Sequence, residues 1–265
     1  MSKGPQPLGY DPNEARDFNT EISKGNIEGH AWQAVLARIS STVGGGEFED
    51  WQSTGGNSNI LTITTPETYE IVSTSSDDSA AGTGARTCVV SGLDEDYNPV
   101  SQIVTLNGTT PVTVTGTFIR PSQCAVVSSG SGMTNAGDIT VRTQGQLANE
   151  YVRNFIVAGQ SISKDPLITI PAGKTGFIKQ STYFVPKNQD IVARNIFKFF
   201  GADTAVNVGL DLPLYQNAVI FPVTAPFQLP EKTDVIFQVA ASNAGVELQS
   251  IVDFLIVDNN QLGSN

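Results

Sequence analysis

The sequence predicts an all-β protein. Charged residues make up only 15% of the 265 residues, against about a quarter in an average soluble chain. Thr, Ser, Val, Asn and Gly fill their places, and these residues favour strands and tight turns. Short runs of strand-like sequence also recur every 8–12 residues or so, with turn residues between them, which is the spacing typical of β-sandwiches.

We divide the chain into an N-terminal arm (residues 1–50) and two β-sandwich domains, Ig-like or jelly-roll-like (51–145 and 146–265). The strand candidates of the first sandwich are 60–64, 69–73, 86–91, 100–106, 112–118, 124–128 and 138–143. Those of the second are 151–157, 167–170, 176–185, 191–200, 219–223, 235–240 and 251–258. Asn107-Gly108 predicts a hairpin between its flanking strands. The apolar run at 254–258 predicts a buried central strand.

The arm is polar and rich in Pro and Gly, apart from one apolar segment. Residues 31–39 predict a short helix, because Ala31, Val35 and Ile39 recur every four positions. We expect the arm to become ordered by docking on a partner, with Trp32 contributing most to the binding energy. The alternative, in which 31–39 packs back on its own sandwich as a lid, stays open. The candidate partner-binding residues are Phe18, Ile22, Ile27, Trp32, Val35, Leu36 and Ile39.

Few residue types suited to catalysis or metal binding are present. The single histidine, His30, excludes a multi-histidine metal site and leaves few partners for a Ser/His/Asp or Cys/His arrangement. Cys88 and Cys124 lack the spacing of a zinc site, and we expect them to be reduced. Residues 77–78 and 94–96 are interpreted as solvated turn residues rather than calcium ligands. The sequence therefore predicts a protein that is not an enzyme, with no cofactor and no metal.

The charge balance argues against two classes of partner. Asp and Glu number 26 against 15 Lys and Arg, which gives a net charge of −11. Such a surface repels nucleic acid and anionic membranes. No segment reaches the roughly 18 apolar residues of a membrane helix, and the N-terminus lacks the apolar core of a signal peptide. We therefore expect assembly in a cytoplasm and neither a nucleic-acid nor a membrane partner.

Several longer motifs carry a resemblance to a known family. They are AAGTGAR at 80–86, GLDEDYN at 92–98, VTLNGTT at 104–110, TNAGDIT at 134–140, TIPAGKTGFI at 169–178, LPEKTDVIFQVAAS at 229–242 and FLIVDN at 254–259. Together they resemble blocks found in structural proteins of tailed bacteriophages, many from marine and cyanobacterial hosts. The motifs consist of turns and strands, so they identify a family more specifically than they identify a site.

The resemblance implies a component of a bacteriophage particle, assembled in the cytoplasm of a bacterial host. Our first hypothesis is a capsid-associated decoration, cement or head-fibre-base protein, which we expect to be a homo-oligomer, with a trimer as the expected state. The second is a tail, baseplate or adaptor component, and the third a receptor- or glycan-binding module on the virion. An enzyme such as a depolymerase is the last alternative. The partners expected under the first two hypotheses are other virion proteins, either major capsid or tail proteins.

Overall fold

The computed structural model describes residues 17–40, 46, 48–50, 63–201 and 206–263. Within these residues the chain forms one α-helix, fifteen strands and two short 3-10 turns (Asn149–Tyr151 and Asn259–Gln261). The helix is α1 (Phe18–Ser23). The strands are β1 (His30–Ser40), β2 (Glu49–Asp50), β3 (Tyr69–Ser73), β4 (Ala85–Leu93), β5 (Pro99–Thr105), β6 (Val112–Thr113), β7 (Arg120–Ser129), β8 (Ile139–Thr143), β9 (Val152–Ile156), β10 (Leu167–Thr169), β11 (Lys174–Lys198), β12 (Asn207–Val208), β13 (Leu212–Pro222), β14 (Asp234–Ala241) and β15 (Glu247–Asp258).

The largest sheet, here called the eight-strand unit, contains the described strands β1, β2 and β10–β15. Its main path runs β1-β15-β11-β14-β10. The long strand β11 pairs first with β15 and then with β14, while β13 pairs along its other edge. The two ends of the path approach each other, since the Arg38 N–H donates to the Lys164 carbonyl at 3.1 Å, just before β10. The sheet thereby encloses one apolar core, which includes Tyr183, Phe237 and Phe254.

Strands β3–β9 form the seven-strand unit, which consists of two smaller sheets. One sheet has the order β6-β3-β8-β9 and the other β5-β4-β7. Side chains of both sheets meet in a single core, which includes Ile71 and Val141 from the first sheet and Val90 from the second. Tyr69 and Phe118 pack edge to face at its centre, with ring centroids 6.1 Å apart.

The all-β prediction is confirmed, and so is the central position of residues 254–258. They belong to β15, which lies between β1 and β11, and Phe254 is fully buried. The finer prediction of two separate β-sandwich domains stays a prediction. The predicted boundary after residue 145 falls between β8 and β9, which pair with each other. Strands β1 and β2 pair with β15 and β14, so these parts of the predicted arm lie in the eight-strand unit.

The predicted helix at residues 31–39 is wrong, because this segment lies within β1. All eleven residues of β1 pair antiparallel with β15, from His30 opposite Val257 to Ser40 opposite Glu247. Val35 faces the core of the eight-strand unit. An apolar spacing of four positions fits a strand face as well as a helix face, so pairing with β15 decides the conformation over the helix propensity of the alanines. The short helix of this region is α1 instead, capped by the Asp17 carboxylate, which accepts from the Thr20 N–H.

The predicted hairpin at Asn107-Gly108 is also wrong. The strand before this turn, β5, pairs with β4, and the strand after it, β6, pairs with β3. Gly108 does adopt a positive φ of 59°, as the turn chemistry requires. Its backbone, however, bonds to a neighbouring turn: its N–H donates to the Asp78 carbonyl, and its carbonyl accepts from Ser73. These bonds direct the chain from one sheet of the seven-strand unit into the other.

Candidate functional site

Two of the family-like motifs meet at one buried carboxylate. The Asp78 side chain is fully buried. It accepts hydrogen bonds from the Ser73 hydroxyl at 2.6 Å and from the backbone N–H groups of Ala85 at 2.7 Å, Ala136 at 2.8 Å and Gly137 at 2.9 Å. Asp78 thus joins the AAGTGAR turn to the NAGD turn, 50 residues further along the chain. The interpretation of Asp78 as a solvated turn residue is therefore wrong.

The glycines of these two turns are needed for close packing. A Cβ atom on Gly84 would lie 2.2 Å from Asp78 Oδ1, and one on Gly137 would lie 2.6 Å from the Ser75 nitrogen. Neither position has room for a side chain.

The second acidic turn, at residues 94–96, is also held by its own hydrogen bonds, since Asp94 Oδ1 accepts from the N–H groups of Asp96 and Asn98. Among the described residues no cluster of acidic, His and Cys side chains is arranged to hold a metal ion.

A second buried polar contact lies where the seven-strand unit and the eight-strand unit join, and it includes residues of the 169–178 and 229–242 blocks. Arg120 and Asp234 form a buried bidentate ion pair, with Nε–Oδ1 and Nη2–Oδ2 distances of 2.9 Å each. The Thr169 hydroxyl donates to the same carboxylate at 2.6 Å. Arg120 also donates to the carbonyls of Ile63 and Ile119. An apolar cluster surrounds the pair, with Leu93 and Ile119 from the seven-strand unit and Leu167, Ile196 and Ile236 from the eight-strand unit.

A small cleft of about 230 Å³ lies beside this ion pair. Tyr97 and Lys232 line it, and both hold left-handed backbone conformations, with φ of 67° and 61°. Such conformations cost about 1 kcal/mol or more in residues other than glycine, so surrounding contacts must hold them. The Tyr97 carbonyl accepts from the Ala172 N–H, and the Lys232 N–H donates to the Ile170 carbonyl. The Lys232 ammonium lies 4.6 Å from the ring centroid of Phe200 and 5.3 Å from that of Tyr97. This cleft therefore belongs to the junction between the units.

The predicted partner-binding residues do not form one surface. Val35 and Ile22 are buried within the chain, at 7% and 3% exposure, so their apolar surface is not available to a partner. Phe18 is 51% exposed and packs edge to face on the His30 ring. Ile27, Trp32 and Leu36 are half-buried. The side chain of Ile39 lies outside the described residues. That Phe18, Ile27, Trp32 and Leu36 bind a partner stays a prediction.

Trp32 lines a groove of about 520 Å³ between α1 and the outer face of β1, β15 and β11. We call it the Trp32 groove. The indole N–H of Trp32 donates to the Asn19 carbonyl at 3.2 Å, which fixes the ring beside α1. Burial raises the pKa of Asp253, whose carboxylate lies on the floor of the groove. Its lining consists of Asn19, Thr20, Ser23, Trp32, Gln33, Ala34, Lys179, Gln180 and Asp253.

A third surface is apolar and lies between β11 and β13. We call it the apolar tip, and define it by Phe200, Val206, Val208 and Leu210, whose exposed fractions are 62%, 44%, 57% and 81%. Phe184 and Ile220 are also exposed, on the outer face of the β11–β13 ladder. Exposed apolar residues concentrated on one part of a molecule indicate a contact surface.

Sequence reasoning missed Arg120 and Asp234, although both left a signal. Arg120 directly follows the apolar pair Phe118-Ile119, and Asp234 directly precedes an apolar run that begins at Val235. A charged residue at the edge of a buried strand requires a partner. The sequence does not show which partner, because the two residues are 114 positions apart.

Comparisons with known proteins add little to this geometry. No protein-family model and no curated protein matches the chain. Among solved structures, it is similar to infectious bursal disease virus, Gx strain (8% identity, 88% of this chain and 73% of that one, TM-score 0.26), and to T=1 particles derived from that virus (10% identity, 88% and 71%, TM-score 0.27). The VP2 subviral particle of the same virus is a further example (10% identity, 89% and 74%, TM-score 0.24). Likeness at these TM-scores carries no argument about fold or function.

Among the described residues, no helix has the length and apolar character needed to cross a membrane.

Proposed function

We propose that this chain is a structural component of a bacteriophage particle: a capsid-associated decoration, cement or head-fibre-base protein that binds other virion proteins. The sequence blocks that resemble phage structural proteins support this proposal through the roles of their residues. Asp78 and the glycines near it fasten two turns of the seven-strand unit, and Arg120 and Asp234 fasten the two units to each other. Residues in and beside these blocks thus stabilise the folded chain.

The observation that carries the proposal is the distribution of exposed apolar side chains. Of the twelve large apolar residues exposed in the described part of the chain, seven lie between Phe184 and Phe227. A monomeric protein rarely keeps such a concentration in water, whereas a protein that binds others uses it as an interface. We assign the apolar tip to contact between copies of this chain, with a trimer as the expected state.

The apolar tip can be tested by substitution in the full chain. Leu210→Asp places a charge on the most exposed residue of the tip and should convert a trimer into monomers, measured as molar mass by light scattering. Ile103→Asp is the matched control, because Ile103 is 68% exposed on β5 in the other unit. A trimer that persists in the Leu210 variant, or dissociates equally in the Ile103 variant, rejects the tip as the contact.

The place in the particle is tested separately. Cryo-electron microscopy of intact particles should show density that fits the two joined units on the capsid surface. Density at the tail or baseplate would support the second hypothesis, an adaptor or tail component, over the first. Purified particles that lack the chain would reject the whole proposal.

A further inference from the structure

We propose that the Trp32 groove binds a saccharide. The proposal concerns a second surface, away from the apolar tip, and a ligand class that the particle-component proposal does not require. It rests on the shape of the groove, on the polar side chains that line it and on the pairing of the backbone beneath it.

The shape of the Trp32 groove follows from the side chains on three neighbouring strands. Ala34, Asp253 and Gln180 lie side by side across β1, β15 and β11. The small side chain of Ala34 leaves space next to the large side chain of Trp32. Helix α1 forms the wall of the groove that faces these strands. The ladder between β11 and β15 has a register shift at Lys179, and such a bulge reorients side chains at the edge of a site. The volume of about 520 Å³ falls within the range of roughly 300–1,000 Å³ found for small-ligand sites.

Two polar side chains of the groove have no partner among the described residues. The Asp253 carboxylate is half-buried and makes no hydrogen bond or ion pair there. The side chain of Lys179 likewise lacks a partner within the described part of the chain. A half-buried carboxylate loses solvation that a ligand's donor groups would restore. The groove therefore presents an acceptor and a cationic donor beside an aromatic ring.

This set of groups suits a saccharide better than other ligands. A sugar ring offers hydroxyl groups that both donate and accept, and an apolar face that packs on an indole. A peptide that binds by strand addition needs unpaired backbone groups, but the floor strand β15 is paired on both sides, with β1 and β11. The polar lining disfavours an acyl chain. Asp253 opposes the binding of a phosphate to Lys179.

The test uses the full chain and a defined panel of sugars: glucose, N-acetylglucosamine, rhamnose, maltose and cellobiose. Saturation-transfer NMR at 10 mM sugar should give signals from the ring protons of at least one of them, and titration should quench tryptophan fluorescence. Asp253→Asn and Lys179→Ala should each weaken binding about tenfold. Trp32→Phe should abolish the fluorescence response and weaken binding as strongly.

Matched controls separate binding from folding. Gln249→Ala changes an exposed residue of β15 outside the groove, and Asp211→Asn changes an exposed carboxylate elsewhere; both should bind as the unchanged chain does. Thermal melting shows whether each variant is folded. The absence of transfer from every sugar overturns the proposal, as does transfer that survives in all three groove variants. Neither result bears on the trimer, which the Leu210 variant tests independently.

Discussion

At the residue scale, Asp165 is a buried carboxylate with a direct consequence for pH dependence. Burial raises its pKa from 3.8 to about 7. Its Oδ2 accepts from Asn154 Nδ2 at 2.8 Å. Its Oδ1 and the Asn154 Oδ1 are both buried without a hydrogen-bond partner. A proton on Asp165 would supply the donor that these two oxygens lack, so the folded chain favours the protonated acid.

We predict that Asp165 makes the folded chain less stable as the pH rises from about 4 to 7. In this window the unfolded chain has released the proton and the folded chain retains it, so the free energy of unfolding falls with pH, and it stays constant above 7. A pKa of about 7 in place of 3.8 corresponds to roughly 4 kcal/mol at most. Asp165→Asn should remove this slope and stabilise the chain at pH 8, because an amide reproduces the missing donor.

Urea unfolding at pH 5 and pH 8 measures this effect as the difference between the Asp165→Asn variant and the unchanged chain. Other carboxylates titrate equally in both proteins and cancel. Asp211→Asn, at an exposed position, is the control and should leave the slope unchanged. A variant at position 165 that is less stable at pH 8 than the unchanged chain would contradict the prediction.

The reduced state of the two cysteines stays a prediction, and their burial makes it testable. Cys88 and Cys124 are free and fully buried. They lie on adjacent strands, opposite Val126 and Val90 respectively. The neighbouring Cys88 thiol, together with burial, holds the pKa of Cys124 above its usual range. We predict that iodoacetamide modifies neither thiol in the folded chain and both in denaturant, as measured by intact mass. Rapid modification of the folded chain would show that β4 and β7 open readily.

At the scale of elements, alternation of apolar and polar residues located most strands. The candidate at residues 69–73 coincides with β3. Most others are displaced by only a few residues, because burial of one face fixes the pattern. The candidate at 112–118 is shorter, since β6 ends at Thr113. Residues 60–62 of the candidate at 60–64 lie outside the described residues, and 63–64 form no strand. The main omission is the length of β11. The segment after Val185, which begins with Pro186, predicts a turn, yet the strand continues with a register shift against β13 between Val185 and Asp190. β11 pairs with β13 both before and after this segment, which keeps it within one strand, and no local sequence pattern records that pairing.

The pairing of β1 makes its two faces experimentally distinct. Val35 points into the core and its neighbour Leu36 lies half-buried on the outer face. We predict that Val35→Asp lowers the melting temperature of the free chain sharply, because it buries an unpaired charge. Leu36→Asp should have a much smaller effect. Equal, small effects in thermal melts would indicate an arm that docks only on a partner, as the sequence first suggested.

At the scale of the whole molecule, the described residues form two large apolar cores and a small third cluster where the units join. The sequence predicts the all-β class because composition and turn spacing are properties of the entire chain. It does not predict the candidate surfaces. The Trp32 groove and the Arg120–Asp234 pair each bring together residues more than 100 positions apart. Such contacts follow from strand order, which turn residues such as Asn107-Gly108 did not reveal.

The junction determines whether the two units unfold together. Arg120 and Asp234 are 4% and 3% exposed, and removing one partner leaves a buried, unpaired charge at a cost of roughly 3–5 kcal/mol. We predict that Arg120→Met separates the thermal unfolding of the two units into two calorimetric transitions, where the unchanged chain shows one. Arg142→Met is the matched control, because Arg142 pairs with Glu70 inside the seven-strand unit. It should lower the stability of that unit while leaving Arg120 and Asp234 paired.

The double variant Arg120→Met/Asp234→Leu decides whether the charge or the packing joins the units. Replacing both partners removes the unpaired charge and leaves an apolar contact among Leu93, Ile196 and Ile236, so it should recover much of the lost stability and restore a single transition. If two transitions persist in the double variant, the ion pair itself holds the units together. The Arg120→Met variant could instead unfold in one transition near the melting temperature of the unchanged chain. In that case the apolar cluster alone holds the two units together, and the role assigned to Arg120 is wrong.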